Sequence, residues 1–97
     1  FITEMIVGGV DEEGPQLYTL DIVGSAIREK YAAVGSGTEL AMGIMEKDYR
    51  EDMSLEECRE LAVRAVKAAI SRDVLTGDGV DLLIIDSSGY RESSVNF

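Results

Sequence analysis

Histidine is missing altogether from these 97 residues, and cysteine and proline occur once each. Without an imidazole the chain cannot build a Ser-His-Asp or Cys-His catalytic site, nor a zinc site with histidine ligands. A single cysteine, Cys58, cannot close an internal disulfide, so a reducing, cytoplasmic setting is the expectation. Cys58 falls on the apolar side of a predicted helix, where a buried, inert thiol is expected rather than a nucleophile. Positive charge is also scarce: nine Lys and Arg stand against 19 Asp and Glu, a net charge of −10. That balance excludes nucleic acid, whose phosphates need clustered bases, and it excludes an anionic membrane surface. Acidity by itself promotes solubility and names no partner. No apolar run approaches the ~20 residues that span a bilayer, and no basic-then-apolar signal region opens the chain. Phe1-Ile2-Thr3 instead opens in a strand-like pattern that reads as a cut through a strand.

What is present is an ordinary globular composition, 45% hydrophobic and 29% charged, in a chain long enough for one small domain. Residues 2–10 mix β-branched and apolar positions and read as a strand. Asp11-Glu12-Glu13-Gly14-Pro15 is a turn, with Gly14 available for positive φ. Residues 16–20 return antiparallel, and Ala26 to Val34 give a third strand, so that short connections make a meander. At Gly35-Ser36-Gly37 the period changes. Ser36 followed by Glu39 has the form of a capping box opening a helix on which Leu40, Ala41, Ile44 and Met45 recur at helical spacing. Ser54 with Glu57 is a second capping box. The helix behind it collects Leu55, Cys58, Ala62, Ala65, Val66 and Ala69 on one face, with Glu56, Arg59, Glu60, Arg64 and Lys67 opposite. Glu60 and Arg64 stand in the favourable i, i+4 order for an ion pair.

The helix is expected to end around Ser71–Asp73, before a loop rich in glycine. Val80 to Asp86 is a last strong strand, and the polar stretch after Tyr90 holds at most a short final one. The order is βββ-α-α-β, an α+β pattern in which two amphipathic helices cover one face of a four-strand sheet. The other face then lacks a cover. Val80 to Asp86 is nearly continuous in apolar residues, as expected of a strand buried on both faces, and that mismatch points to a missing half.

The run G8-G-V-D-E-E-G-P-Q-L-Y-T-L-D, then G35-S-G opening a helix, then E51-D-M-S-L-E-E, then S71-R-D-V-L-T-G-D-G, is similar to archaeal proteasome β subunits in order and spacing along most of residues 5–86. The resemblance implies the N-terminal nucleophile hydrolase fold, a four-layer αββα sandwich. It makes residues 1–97 the second half of that sandwich. The absent half would carry an N-terminal threonine, an aspartate and a lysine beside that threonine, and most of the specificity pocket. In the family the threonine hydroxyl attacks the peptide carbonyl while its own α-amino group, titrating near ~8, moves the proton.

What the resemblance leaves to this chain is a supporting shell. Ser36 matches a serine that hydrogen-bonds near the threonine's amino group, although a helix N-cap alone also accounts for it. Asp73 matches an aspartate that helps hold the network of serine, threonine and lysine; the competing reading is a solvated acid at a helix end, where the dipole disfavours negative charge. Thr76 stands where the family most often has serine, keeping a hydroxyl and adding a methyl; it also reads as an ordinary loop residue before Gly77. Backbone carbonyls matching Ile70, Asp73 and Thr76 bind a cation in some members, and carbonyl oxygens suit a hard ion such as Mg²⁺. No cofactor is required. Asp21 matches an acidic position lining a neighbouring subunit's substrate channel, but Ile22 and Ser25 replace the usual proline and glycine there, leaving a hairpin-turn role equally open.

The resemblance thus implies a threonine-type endopeptidase subunit of a ring-shaped cytoplasmic particle that hydrolyses unfolded polypeptide. Its partners would be the missing N-terminal half and other proteasome α and β subunits. The alternative is a non-catalytic structural or assembly subunit of such a barrel. The sequence before Phe1 discriminates, since an active subunit needs Gly-Thr at its processing point.

Overall fold

The computed structural model describes residues 5–20, 25–35, 37–70 and 79–96. They form β1 (Met5–Asp11), β2 (Gly14–Leu20), β3 (Ala26–Arg28), α1 (Thr38–Asp48), α2 (Leu55–Ile70), β4 (Gly79–Asp86) and β5 (Gly89–Asn96). The chain divides into two compact units, Phe1–Val34 with Leu83–Ser93, and Gly35–Leu82 with Ser94–Phe97. This is the mixed α/β composition expected, with antiparallel strands and two helices, but the strands differ in arrangement. The order is βββααββ, and β4 pairs with β5 rather than with the meander.

In the first unit β1, β2 and β3 form a three-stranded antiparallel sheet in sequential order. Asp11 pairs with Gly14 across a two-residue turn, and Val10 with Pro15. Gly14 has a φ of +104°, which a side chain would resist, so the glycine expected for this turn is required there. Pro15 lies at the turn end of β2, away from the stretch Tyr18–Leu20 that β3 pairs with, a place where a missing N–H is tolerated. The Asp11 carboxylate closes the turn, accepting from the Glu13 N–H at 2.8 Å and from Gln16 Nε2 at 2.5 Å.

The third strand is much shorter than the expected Ala26–Val34. Its ladder ends at Arg28, with one further bond from the Glu29 N–H to the Leu17 carbonyl at 2.8 Å. Arg28-Glu29-Lys30 places three charges in succession, so neither face of a continued strand would be apolar. Conversely, the polar stretch after Gly89 is a full eight-residue strand, β5. The turn that creates it repeats the device of the first hairpin: Asp86 Oδ1 accepts from the Ser88 N–H at 2.9 Å and from its hydroxyl at 2.6 Å. Local turn chemistry thus supplies a partner strand where hydrophobic patterning gave little sign of one.

The second unit holds the buried residues. Among the described residues Ala41, Leu61, Ala65 and Val80 are the buried hydrophobics. On α1 the expected positions Leu40, Ala41, Ile44 and Met45 are buried or half-buried, and Thr38, Met42 and Asp48 are half-buried with them. On α2 the inner seam runs through Leu61 and Ala65, while Leu55, Cys58, Ala62 and Val66 are exposed. At about 100° per residue this exposed stripe lies roughly a quarter turn from the seam. The helix therefore has two adjacent apolar faces, which periodicity had merged into one. The expectation of a buried Cys58 is corrected accordingly. Arg64 also departs from the i, i+4 pairing: it reaches Asp48 at the end of α1 at 2.9 Å.

Strand β4 shows the uneven cover that its composition implied. Val80 is buried and Leu82 and Ile84 half-buried, whereas Leu83 and Ile85 on the alternate face are 56% and 41% exposed. With Val7, Ile27, Leu55, Val66 and Tyr90 also exposed, the 97-residue chain on its own is expected to bind ANS and to elute from size-exclusion chromatography as associated species. A monomer with cooperative unfolding and no ANS enhancement would contradict this.

Candidate active site

The sequence places the candidate residues just before α1 (Ser36) and just after α2 (Asp73, Thr76), so the geometry of interest is the helical hairpin that carries both ends. Its tight end is the loop from α1 to α2. There the Ser54 N–H donates to Glu57 Oε1 at 3.0 Å, and the Glu57 N–H donates to Ser54 Oγ at 3.2 Å. This is the reciprocal capping box expected, and it satisfies donors that the first turn of a helix otherwise leaves unpaired. Arg50 adds an ion pair to Glu57. The Ser54 N–H, then the Arg50 guanidinium, hold the Glu57 carboxyl below its usual range.

At the open end of the hairpin the start of α1 meets the end of α2. The N-cap of α1 is Gly37, without a side-chain cap, and the capping box expected of Ser36 and Glu39 rests on a residue outside the described ones. Thr38 closes the start of α1, donating through its hydroxyl to the Gly35 carbonyl at 2.7 Å and through its N–H to the same oxygen at 3.3 Å. A methyl group placed on Gly37 would stand 3.3 Å from Ala69 Cα and press closer still on its Cβ. Glycine at 37 and alanine at 69 are thus what allow the two backbones to meet. Neither was singled out as functional from sequence; the only sign was the small-residue character of G35-S-G and of the Ala68-Ala69 pair.

Ser36, Asp73, Thr76 and Asp21 lie outside the described residues, and so does the loop that was expected to follow α2. Of the three residues whose carbonyls were named for a cation, Ile70 is described, as the last residue of α2. Among the described residues no cluster of three or more metal-ligating side chains occurs. No described helix is long and apolar enough to cross a membrane.

A separate open groove in the first unit has Val10, Asp11, Leu83, Ile85, Asp86 and Tyr90 among its lining residues. Its aspartates are committed to the two hairpin turns. The Asp86 carboxyl is held below its usual range, first by the Ser88 hydroxyl and then by the Ser88 N–H.

Comparison with known proteins bears on the hairpin and the strands alike. The family described as "Proteasome subunit" matches residues 1–85. Proteasome subunit beta 1 of Desulfurococcus amylolyticus is 57% identical over 96 residues, which are 99% of this chain and 48% of that protein. Proteasome subunit beta 1 of Staphylothermus marinus is 56% identical over 89 residues, 92% of this chain and 42% of that protein. Proteasome subunit beta 2 of Pyrobaculum neutrophilum is 52% identical over 95 residues, 98% and 47% respectively. The chain therefore spans about half the length of the curated relatives it matches.

The capping box gives this scaffold a measurable pH dependence. Because the folded Glu57 carboxyl titrates below its ordinary 4.5, its contribution to the helix is present above that value. The contribution is lost as pH falls through the lowered one. In a peptide spanning residues 50–70, Ser54→Ala should lower helix content at neutral pH, by about 1 kcal/mol or less in helix stability. Glu57→Gln, which keeps a cap but loses the charge, should lower helicity at pH 7 and match the parent once acid has protonated Glu57 in the parent. Far-UV circular dichroism across that range checks both. A Glu57→Gln deficit that persists in acid would show that charge is not involved.

Proposed function

The chain belongs to the proteasome subunit family, and from that premise we propose that it forms part of a threonine-type endopeptidase subunit whose nucleophile lies in polypeptide outside these 97 residues. The single observation carrying this reading is 57% identity, over 96 residues, to a protein named as a proteasome β subunit. The fold proposed for the whole subunit is the four-layer αββα sandwich, with residues 1–97 in its second half. Exposed apolar positions on β4 and α2 support that reading, since a layered sandwich requires apolar cover on both sides of its sheets.

In the proposed chemistry the N-terminal threonine hydroxyl attacks the peptide carbonyl and the α-amino group carries the proton. Ser36 supplies a hydroxyl, donor and acceptor at once, that orients the amino group and a water. Asp73 offsets the positive charge that this network must hold, and Thr76 contributes a second hydroxyl. Asp21 is proposed to face substrate held by a neighbouring subunit. Main-chain oxygens of Ile70, Asp73 and Thr76 are a donor set that a hard cation accepts, and such an ion would brace the loop after α2. Partners are the remaining half of the subunit and other proteasome subunits, substrate is unfolded polypeptide, and the site of action is the cytoplasm.

In the full-length, assembled subunit, Ser36→Ala and Asp73→Asn are each expected to lower kcat for a fluorogenic peptide by about 10- to 100-fold. The particle should still assemble. The 97-residue chain alone should show no turnover. Unchanged kcat in both variants, or turnover by the isolated chain that an epoxyketone inhibitor stops, would refute the assignment.

A further inference from the structure

The groove of the first unit combines an apolar lining with an acidic one. Val10 of β1, Leu83 and Ile85 of β4 and Tyr90 of β5 supply the apolar part, and the last three are 56%, 41% and 71% exposed. The charged side chains that line it are all acids: Asp11, Glu12, Asp86 and Glu92. Two of these are already engaged. Asp11 accepts from Glu13 and Gln16, and Asp86 accepts from Ser88 and pairs with Arg91 at 3.4 Å. The carboxylates of Glu12 and Glu92 meet no donor and no base among the described residues.

Apolar side chains gathered in this way call for cover, and the two free carboxylates restrict what can cover them. An uncharged cover would strip water from Glu12 and Glu92 without replacing it, at a cost that a neighbouring base offsets. A second copy of this chain is a poor match, because it brings a net charge of −10 towards an acidic surface. Polypeptide of the same subunit is the better match in extent: 96 residues aligned with this chain are only 48% of the Desulfurococcus relative. We propose that the groove is a docking surface for the part of the subunit outside these 97 residues, which seats an apolar side chain against Leu83, Ile85 and Tyr90 and brings a lysine or arginine to Glu12 and Glu92. The inference rests on the function proposed above, in which residues 1–97 are half of a subunit. It goes beyond that reading by naming a surface through which the halves meet and the charge that the other half carries there.

The test uses the full-length subunit, held dilute enough to be monomeric by light scattering. Hydroxyl-radical footprinting reads the cover directly: Tyr90 should oxidise several-fold more slowly in the folded monomer than in urea. Tyr90 that oxidises equally fast in both overturns the proposal, and so does protection that appears only when copies associate or another protein is added. The charge of the cover is read from thermal stability at low salt. Glu12→Gln with Glu92→Gln should lower Tm, and Glu12→Arg with Glu92→Arg should lower it further, by several degrees in all. An open acidic groove gives the opposite order, because a base beside Asp11 and Asp86 relieves repulsion. Any order other than a falling one overturns the proposal. If the arginine variant does not fold, the glutamine variant decides alone, a lower Tm supporting the proposal and an equal or higher one overturning it. Peptide turnover by the assembled particle tests the proposed function separately. An active particle whose monomer leaves Tyr90 open strikes this inference alone. A covered groove in an inactive particle strikes the threonine chemistry and leaves the docking surface standing.

Discussion

Two small residues, Gly37 and Ala69, let the backbones of α1 and α2 meet where larger side chains would hold them apart. Much of the second unit depends on that approach. The seam that follows from it buries Ala41 on one helix and Leu61 and Ala65 on the other, again mostly small side chains. The loop between the helices is held by Ser54, Glu57 and Arg50, and Arg64 to Asp48 ties the middle of α2 to the end of α1. Exposed ion pairs contribute little individually. Steric fit between the helices therefore outweighs the charges in fixing the hairpin.

Features decided by a few adjacent residues were legible in the sequence. The Gly14 turn, the Ser54–Glu57 capping box and the apolar face of α1 all follow from local backbone and periodic constraints. Features that depend on distant partners were not. Periodicity merged the two apolar faces of α2, because it finds an apolar arc but not where one neighbour ends. Arg64 was assigned to Glu60 because i, i+4 spacing is visible in sequence and the approach of Asp48 is not. Strand β5 was expected to be short at most, because its side chains are polar and its pairing rests on a two-residue turn. The site was legible only through resemblance: Ser36, Asp73 and Thr76 carry no spacing that composition alone would select. The fit of Gly37 against Ala69 escapes sequence reading for a related reason, since steric complementarity belongs to a pair 32 positions apart.

The exposed apolar positions and the comparisons converge from independent directions. Leu83 and Ile85 alternate outward along β4, and Leu55 and Val66 stand on the second face of α2. Relatives of about twice this length match across nearly all of the chain. Covering those positions would add the apolar burial on which the proposed sandwich rests.

Among the described residues the strand and helix pairings join neighbours in sequence: β1 with β2, β2 with β3, α1 with α2, and β4 with β5. That arrangement has a kinetic meaning. Short loops cost little closure entropy, so each hairpin can form within microseconds of its residues becoming available. The slow events are then the long-range dockings, and until they finish the chain is a string of preformed hairpins with apolar faces open to one another and to other chains. The same locality that makes each piece quick to form makes its final assembly the step that competes with aggregation.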